Sequence, residues 1–302
     1  MSFILGVDTG GTYTDAVILE DEERVIAFSK ALTTHSDLSL GIGSAIQKAV
    51  KQRNTAPEKI SLVSLSTTLA TNALVEGQGD RVALVMIGFQ DSDLEKHAIF
   101  DALKGDPFLV IEGGHNYAGF EKNPLEKNKL SRWISEIKCV SAYAVCSQFA
   151  VRNPEHELEA AEIIRKLTDK PVSLSHQISA KLNGPKRALT AVLNARLVAL
   201  IDLLIVKAEH VIKSLGILAP LMVVRGDGAL ISAAQAREKP IETILSGPAA
   251  SIVGARWLTG ETEAIISDIG GTTTDIAVLK GGKPAIDPRG ASVGPYRTMV
   301  EA

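Results

Sequence analysis

Apolar residues along the chain fall into short runs broken by glycine and polar turns. Phe3 to Val7 is one run, Gly10-Gly11 marks a turn, Ala16 to Leu19 is a second run and Arg24 to Ser29 a third. This order predicts a hairpin extended into a meander. The same succession returns near the other end, with Ala264 to Ile266, Gly270-Gly271, Ile276 to Leu279 and Lys283 to Ile286. Between the two, the runs Leu62–Leu65, Val82–Ile87, Val140–Cys146, Leu221–Val224 and Ile241–Leu245 predict further strands. Helical periods alternate with them. Leu38, Ile42, Ile46 and Ala49 share one face, although Gly41 and Gly43 weaken that helix. A helix-like stretch follows Leu65. Asn153-Pro154-Glu155 opens another helix, with Leu158, Ala161, Ile164 and Leu167 as its apolar stripe and His156 on its surface. A long helix is expected from about Arg187 to Ser214, closed by Gly216, and a last one starts at Ser246 and Pro248. Strands alternating with helices predict an α/β layering. From about residue 90 to 130 the pattern breaks into turn signals, which reads as an inserted segment.

The recurrence is close at the level of single residues. Residues 8–19 read DTGGTYTDAVIL and residues 268–279 read DIGGTTTDIAVL, identical at seven of twelve positions. An offset of 260 residues, from Asp8 to Asp268, is too long for a solenoid and predicts two related domains.

Composition narrows the function classes. Of 302 residues, 45% are hydrophobic and 22% charged, so the chain can bury a core and is not disordered. A net charge of −3 supplies no basic field for a nucleic-acid backbone, and aromatics at 4% disfavour stacking surfaces. Cys139 and Cys146 are too few for a disulfide framework or zinc cluster; they are expected to pack in a strand and the helix before it, in a reducing cytoplasm. The most membrane-like run, Ala191 to Val206, carries Asn194, Arg196 and Asp202, which argues against spanning. The N-terminus has no basic region and is not read as a signal peptide.

Two Gly-Gly hairpins carrying Asp and Thr suit a nucleoside triphosphate held between two domains. Gly10, Gly11, Gly270 and Gly271 let backbone approach phosphate, and successive N–H groups in such turns form anion nests. Thr12, Thr14, Thr272 and Thr274 add hydroxyl donors. Asp8 and Asp268 beside phosphate require Mg²⁺ between, bound directly or through waters, or act by orienting an attacking oxygen; they are the candidate catalytic and metal residues. A single DxGGT is equally an ordinary capped turn; two copies in matching settings argue against that. Asp15 and Asp275 either orient the loop threonines or cap the turns. Neither a dinucleotide fingerprint nor a GKS/GKT phosphate loop is present. Thr67, Thr68, Thr71 and Asn72 follow a strand and open a helix, where phosphate or substrate binding competes with plain N-capping. His115 in EGGHN is a weak substrate candidate, His176 a structural residue at a strand end, and Asp227 in RGDGAL a turn or cleft residue. No HxH, HExxH or GxSxG pattern supports a zinc site or a serine nucleophile.

The doubled hairpin resembles the two phosphate loops of the actin, sugar-kinase and heat-shock ATPase superfamily, and SGPAASIVGA resembles its connecting helix. More narrowly, the chain resembles the hydantoinase/oxoprolinase A family through GVDTGGTYTDAV, LSTTLATNALVEGQGDRVALV, FAVRNPEHE, SLSHQIS, PIETILSGPAASIVGA and SDIGGTTTD, in order along nearly the whole chain. KLNGPKRALTAVLNA keeps the family pattern around the arginine but lacks the usual charged run before it. The resemblance implies two ribonuclease-H-like ATPase lobes with an inserted α/β segment: residues 1–180 as the N-terminal lobe, and 181–302 as a linker helix and the start of a second, incomplete lobe. It implies ATP and Mg²⁺ as cofactors, a cyclic amide such as 5-oxoproline or a hydantoin as substrate, a B-type partner subunit and self-association. No nucleic acid or membrane is expected. Phosphorylating the amide oxygen would open a ring that resists hydrolysis. A ketone-carboxylase subunit, a nucleotide-driven clamp and a small-molecule kinase (with Asp80 as a weak catalytic candidate) are the alternatives. Because the family runs past the second hairpin, the 302-residue chain is expected to bind ATP weakly and turn over little alone.

Overall fold

The computed structural model describes residues 2–53, 55–269 and 274–302. Two compact units are distinguished: residues 1–72 with 201–287 and 302, and residues 73–200 with 288–301. Neither follows a single cut near residue 180, because the chain leaves the first unit and returns to it.

The first unit opens with β1 (Phe3–Thr9), β2 (Tyr13–Glu20) and β3 (Arg24–Leu32), each antiparallel to the one before. Buried and part-exposed residues alternate strictly along β1, as a period of two requires. Helix α1 (Leu38–Arg53) packs on β2 and β3 through Ile42, Ala45, Ile46 and Ala49. Gly41 is needed there: a Cβ would stand 2.9 Å from the Leu32 carbonyl oxygen. Next come β4 (Ile60–Thr67), parallel to β1, and α2 (Leu69–Val75).

The second unit carries a four-stranded, wholly parallel sheet. Its strands are β5 (Val82–Ile87), β6 (Phe108–Ile111), β7 (Ala142–Ser147) and β8 (Val172–Leu174), in the order β6-β5-β7-β8. β5 and β7 are buried at every position, the signature of central parallel strands. Helices α3 (Ile99–Leu103), α4 (Lys127–Glu136), α5 (Glu155–Thr168) and α6 (Ser175–Ile178) fall between and after these strands. The core joins Val85, Ile87, Leu130, Ile134, Tyr143, Val145, Ala161 and Ile164. The segment 90–130 therefore contributes a strand, β6, to this sheet.

Helix α7 (Gly184–Ser214) starts in the second unit and ends in the first. It is long and apolar enough to cross a membrane, but two-thirds of its most apolar stretch is buried. Its polar residues have the partners of a core helix. The Asn194 amide donates to Ser173 Oγ at 2.9 Å, and the Arg196 guanidinium meets Asp106 at 2.7 Å and donates to the carbonyls of Asp80, Ala102 and Leu103.

Back in the first unit, β9 (Leu221–Val224) runs parallel to β4 and β10 (Leu230–Ser232) antiparallel to β9. The six-stranded order is β10-β9-β4-β1-β2-β3. After α8 (Ala233–Glu238), the expected strand Ile241–Leu245 is instead a 3₁₀ turn over Pro240–Thr243. Pro240 sets φ for the first helical position, and Thr243 Oγ1 donates back to its carbonyl at 2.8 Å. Helix α9 (Ser246–Thr259) leads into a three-stranded antiparallel sheet of β11 (Ala264–Ile269), β12 (Thr274–Lys280) and β13 (Lys283–Pro284).

Two further expectations are corrected. The buried stripe of α5 is His156, Glu157, Ala160, Ala161 and Ile164, so Leu158 and Leu167 face solvent and His156 lies inside. Cys146 is buried in β7, but Cys139 is exposed and outside any strand or helix.

Candidate functional site

The two halves of the sequence repeat adopt one register. Asp8 stands directly opposite Asp15 and Thr9 opposite Thr14; Asp268 stands opposite Asp275 and Ile269 opposite Thr274. Each hairpin thus faces two carboxylates across one rung, an arrangement that like-charge repulsion disfavours.

In the first hairpin the Gly10 N–H donates to the Tyr13 carbonyl at 3.0 Å, leaving Gly11 and Thr12 as the two-residue tip. Thr14 is fully buried, and its hydroxyl lies 3.1 Å from Thr33 Oγ1. Because Thr33 Oγ1 donates to the Gly10 carbonyl at 2.9 Å, Thr14 is the donor to Thr33. The chain Thr14 to Thr33 to Gly10 braces the tip. The Gly10 N–H and the Thr14 hydroxyl are thus both engaged inside the fold. Gly11 and Thr12 remain part-exposed at the tip. Gly270, Gly271 and Thr272 lie outside the described residues; Thr274 is exposed at the start of β12.

Asp8 and Asp268 each accept a hydrogen bond from a serine that the sequence motifs did not single out. Ser66 Oγ donates to Asp8 Oδ1 at 2.5 Å, because parallel pairing sets Ser66 beside Asp8. Ser251 Oγ, on α9, donates to Asp268 Oδ2 at 2.5 Å. Burial raises the Asp8 carboxyl above its ordinary range; the Ser66 hydrogen bond opposes this, the charges of Asp15 and Asp268 add to it, and Lys30 opposes it. Asp268 is therefore near enough to act on Asp8 electrostatically. Burial and then Asp268 likewise raise Asp275.

Helix α9 ties these parts together. Ser246 Oγ donates to the Thr67 carbonyl at 2.8 Å, and the Leu245 N–H donates to Thr71 Oγ1 at 2.9 Å. Leu245 holds φ at 58°, a strained value for a branched side chain. Gly247 lies so close that a Cβ would stand 3.2 Å from Thr68 Cγ2. Thr67 Oγ1 donates to the Thr9 carbonyl at 3.2 Å and accepts from the Leu69 N–H at 3.1 Å, so it caps α2. Asn72 Nδ2 donates to Thr68 Oγ1 at 3.3 Å and sits 3.8 Å from where a Cβ on Gly11 would be. Thr67, Thr68 and Asn72 thus gather behind the first hairpin tip.

His115 belongs to the second unit. His176 there donates from Nδ1 to Glu157 Oε2 at 2.5 Å, and Asp227 of the first unit closes its own turn by accepting from the Ala229 N–H at 3.0 Å.

A cation would relieve the first-unit site, where Asp8, Asp15, Asp268 and Asp275 outnumber Lys30. Among the described residues no three acidic, histidine or cysteine side chains converge as direct ligands.

A duplicated acidic hairpin, joined through one helix to a mixed α/β scaffold, defines the class. The family model described as hydantoinase/oxoprolinase N-terminal region matches residues 4–168, and the hydantoinase/oxoprolinase model matches 187–301. The chain belongs to the hydantoinase/oxoprolinase family. It is 28% identical to the caprolactamase subunit alpha of Pseudomonas jessenii over 92% of this chain and 44% of that one. It is 26% identical to the acetophenone carboxylase gamma subunit of Aromatoleum aromaticum, covering 91% of this chain and 42% of that one. It is 25% identical to 5-oxoprolinase 1 of Arabidopsis thaliana, covering 91% and 25%. The crystal structure of the ATP-dependent caprolactamase from Pseudomonas jessenii matches with a TM-score of 0.82 at 26% identity, over 99% of this chain and 46% of that one. Nucleotide-free acetone carboxylase shares the fold, with a TM-score of 0.85 at 20% identity, over 99% of this chain and 46% of that one. The chain spans less than half the length of these relatives.

Proposed function

We propose that the chain forms the nucleotide-handling part of an ATP-dependent enzyme that activates a carbonyl oxygen by phosphorylation, with a cyclic amide as the substrate. The carrying observation is the pair of matching hairpins, each setting two aspartates opposite one another, Asp8 with Asp15 and Asp268 with Asp275. Gly11 and Thr12 offer backbone and hydroxyl donors to phosphate at the first tip, and Gly270, Gly271, Thr272 and Thr274 are assigned the same task at the second. Ser66 and Ser251 fix the orientation of the two carboxylates. Mg²⁺, when bound, offsets the charge that develops on the transferred phosphoryl group. Water adds to the O-phosphorylated amide carbon, the ring C–N bond breaks with a proton passing to the nitrogen to leave an acyl phosphate, and a second water releases phosphate and the open-chain carboxylate. The names of the caprolactamase and 5-oxoprolinase relatives support a cyclic amide.

A ketone-carboxylase subunit is the second reading, favoured by the comparable identity to the acetophenone carboxylase gamma subunit. The names of several relatives denote subunits, which supports a partner subunit for this chain too. ADP release by the assembled enzyme, measured against 5-oxoproline, caprolactam, hydantoin and ketone plus bicarbonate, tests the proposal. Stimulation by a cyclic amide alone supports it, stimulation only by ketone plus bicarbonate selects the second reading, and no substrate-dependent ADP release overturns both.

A further inference from the structure

The second unit has polar machinery of its own, set where a parallel sheet favours ligands. β5 to β8 run parallel, so their carboxyl ends share one edge, the usual place for a binding crevice. At that edge lies a cavity of about 530 Å³, within the range of small-molecule sites. Phe89, just after β5, and Phe149, just after β7, are among its walls, with Leu182 and Pro185. Phe149 holds φ at 56°, a conformation that costs energy for a bulky side chain and clusters at ligand sites.

The charges at the cavity are of one dominant sign. Arg187 lines it and is almost fully buried. Its guanidinium donates to Ser175 Oγ and to the carbonyls of Lys181 and Ser147, each at 3.2 Å. Among the described residues it has no carboxylate within 4.0 Å; Glu157 is reached indirectly, through the Ser175 hydroxyl, which donates to it at 2.5 Å, and through Ser147, whose N–H donates to it at 2.8 Å. A buried guanidinium without a direct counter-charge is costly and calls for an anion. Lys96 also lines the cavity; Asp93, beside it at 2.6 Å, is the one acid there.

His97 reports the same field. The Lys186 N–H donates to Asn183 Oδ1 at 3.1 Å, which fixes the Asn183 amide, so Asn183 Nδ2 donates to His97 Nε2 at 3.2 Å. Burial, Lys186 and Lys96 hold the His97 imidazole below its ordinary value. Burial disfavours a charge of either sign, whereas the contributions of Lys186 and Lys96 are those that favour an anion. Farther along the edge, Ser147 Oγ and both ring nitrogens of His115 are buried without a hydrogen-bond partner among the described residues.

We propose that this cavity binds a small ring compound bearing a carboxylate, with the ring between Phe89 and Phe149 and the carboxylate toward Arg187 and Lys96. The proposal goes beyond the nucleotide reading and needs no ATP. The test is calorimetric titration of the 302-residue chain, without nucleotide, using benzoate and 5-oxoproline against their neutral counterparts benzamide and 2-pyrrolidinone. At least one carboxylate should bind about tenfold tighter than its neutral counterpart, a difference of ~1.4 kcal/mol. Leu182→Trp should abolish that binding; Leu182 is 52% exposed, so the fold tolerates the change. Lys96→Gln should weaken the carboxylate and leave the neutral compound unaffected. Equal binding of anion and neutral counterpart, binding untouched by both variants, or no binding of either carboxylate overturns the proposal. A parallel ATP titration separates the two readings, since loss of ATP binding alone would strike only the hairpins.

Discussion

Asp8→Asn offers a test in which stability and nucleotide response move in opposite directions. In the folded chain the Asp8 carboxyl is half-buried, faces Asp15 across the rung and feels Asp268, with Lys30 the cation opposing them. Its affinity for protons is therefore higher folded than unfolded. The folded state gains from that proton at acid pH, and the gain is lost as pH rises through the raised folded value. At neutral pH the ionised group weighs against folding. Asparagine keeps an oxygen to accept from Ser66 Oγ and removes the charge. Relief of the opposed pair is worth about 0.2–1 kcal/mol, and less desolvation adds to it while loss of the Lys30 attraction subtracts. A net gain on the order of 1 kcal/mol should raise the melting temperature by about 2–4 °C at pH 7. The advantage should shrink as pH falls through the raised folded value, where the wild-type carboxyl takes up its proton. Mg²⁺·ATP should stabilise the wild-type chain and stabilise the variant less, because ligand binding to the native state adds RT ln(1 + [L]/Kd). Scanning calorimetry of both chains across pH, with and without Mg²⁺·ATP, reads all of this. A variant that melts lower than wild type at pH 7, at every nucleotide concentration, would refute the reasoning and make Asp8 a structural acceptor.

Three other outcomes are expected. Burial pushes the Cys146 thiol up to about 12, whereas Cys139 is exposed, so a thiol reagent at pH 8 should titrate Cys139 alone in the native chain and both after denaturation. Asp106→Ala removes the direct counter-charge of the buried Arg196 and should cost about 3 kcal/mol in urea unfolding, near the low end for a broken buried pair because three carbonyls still accept from the guanidinium. Glu157 is fully buried and accepts from the Ser147 N–H, Ser175 Oγ and the His176 N–H; Glu157→Gln turns an amide toward these donors and should lower stability by about 2–3 kcal/mol, seen as an earlier urea midpoint with an unchanged slope.

What was legible in the sequence was what is local. Gly-Gly between two apolar runs specifies a hairpin, and the identical spacing of both aspartates around it specifies the rung on which they meet. The long helix, too, announces itself by length. Three features escaped. β6 is a four-residue run inside a turn-rich stretch, and only its parallel partner β5 makes it a strand. The α5 stripe was assigned to its most apolar residues, but Glu157 and His156 turn inward because Ser147, Ser175, His176 and Gly114 offer them hydrogen bonds from distant positions. Ser66 and Ser251 carry no motif of their own, since each becomes a partner of an aspartate only through strand pairing or helix packing.

The same contrast bears on why the acidic hairpins take the form they do. A turn that needed only a cap would be served by one aspartate. Here each hairpin sets two carboxylates opposite one another, and the first places Asp8 where burial already disfavours its charge. Nothing in the packing of β1 demands it: neighbouring positions are filled by Val7 and Thr9, and an uncharged residue at position 8 could keep the Ser66 hydrogen bond. Local propensity and global fold agree nearly everywhere else along these strands, so the disagreement at this one rung, repeated in both copies, is where a functional demand has overridden stability. Under the proposed function, a hydrated cation carried in by a nucleotide would offset the charge of Asp8 and of Asp268 together. On that proposal the repeat in the sequence is a repeat of electrostatic incompleteness, two half-sites that one ligand would serve together.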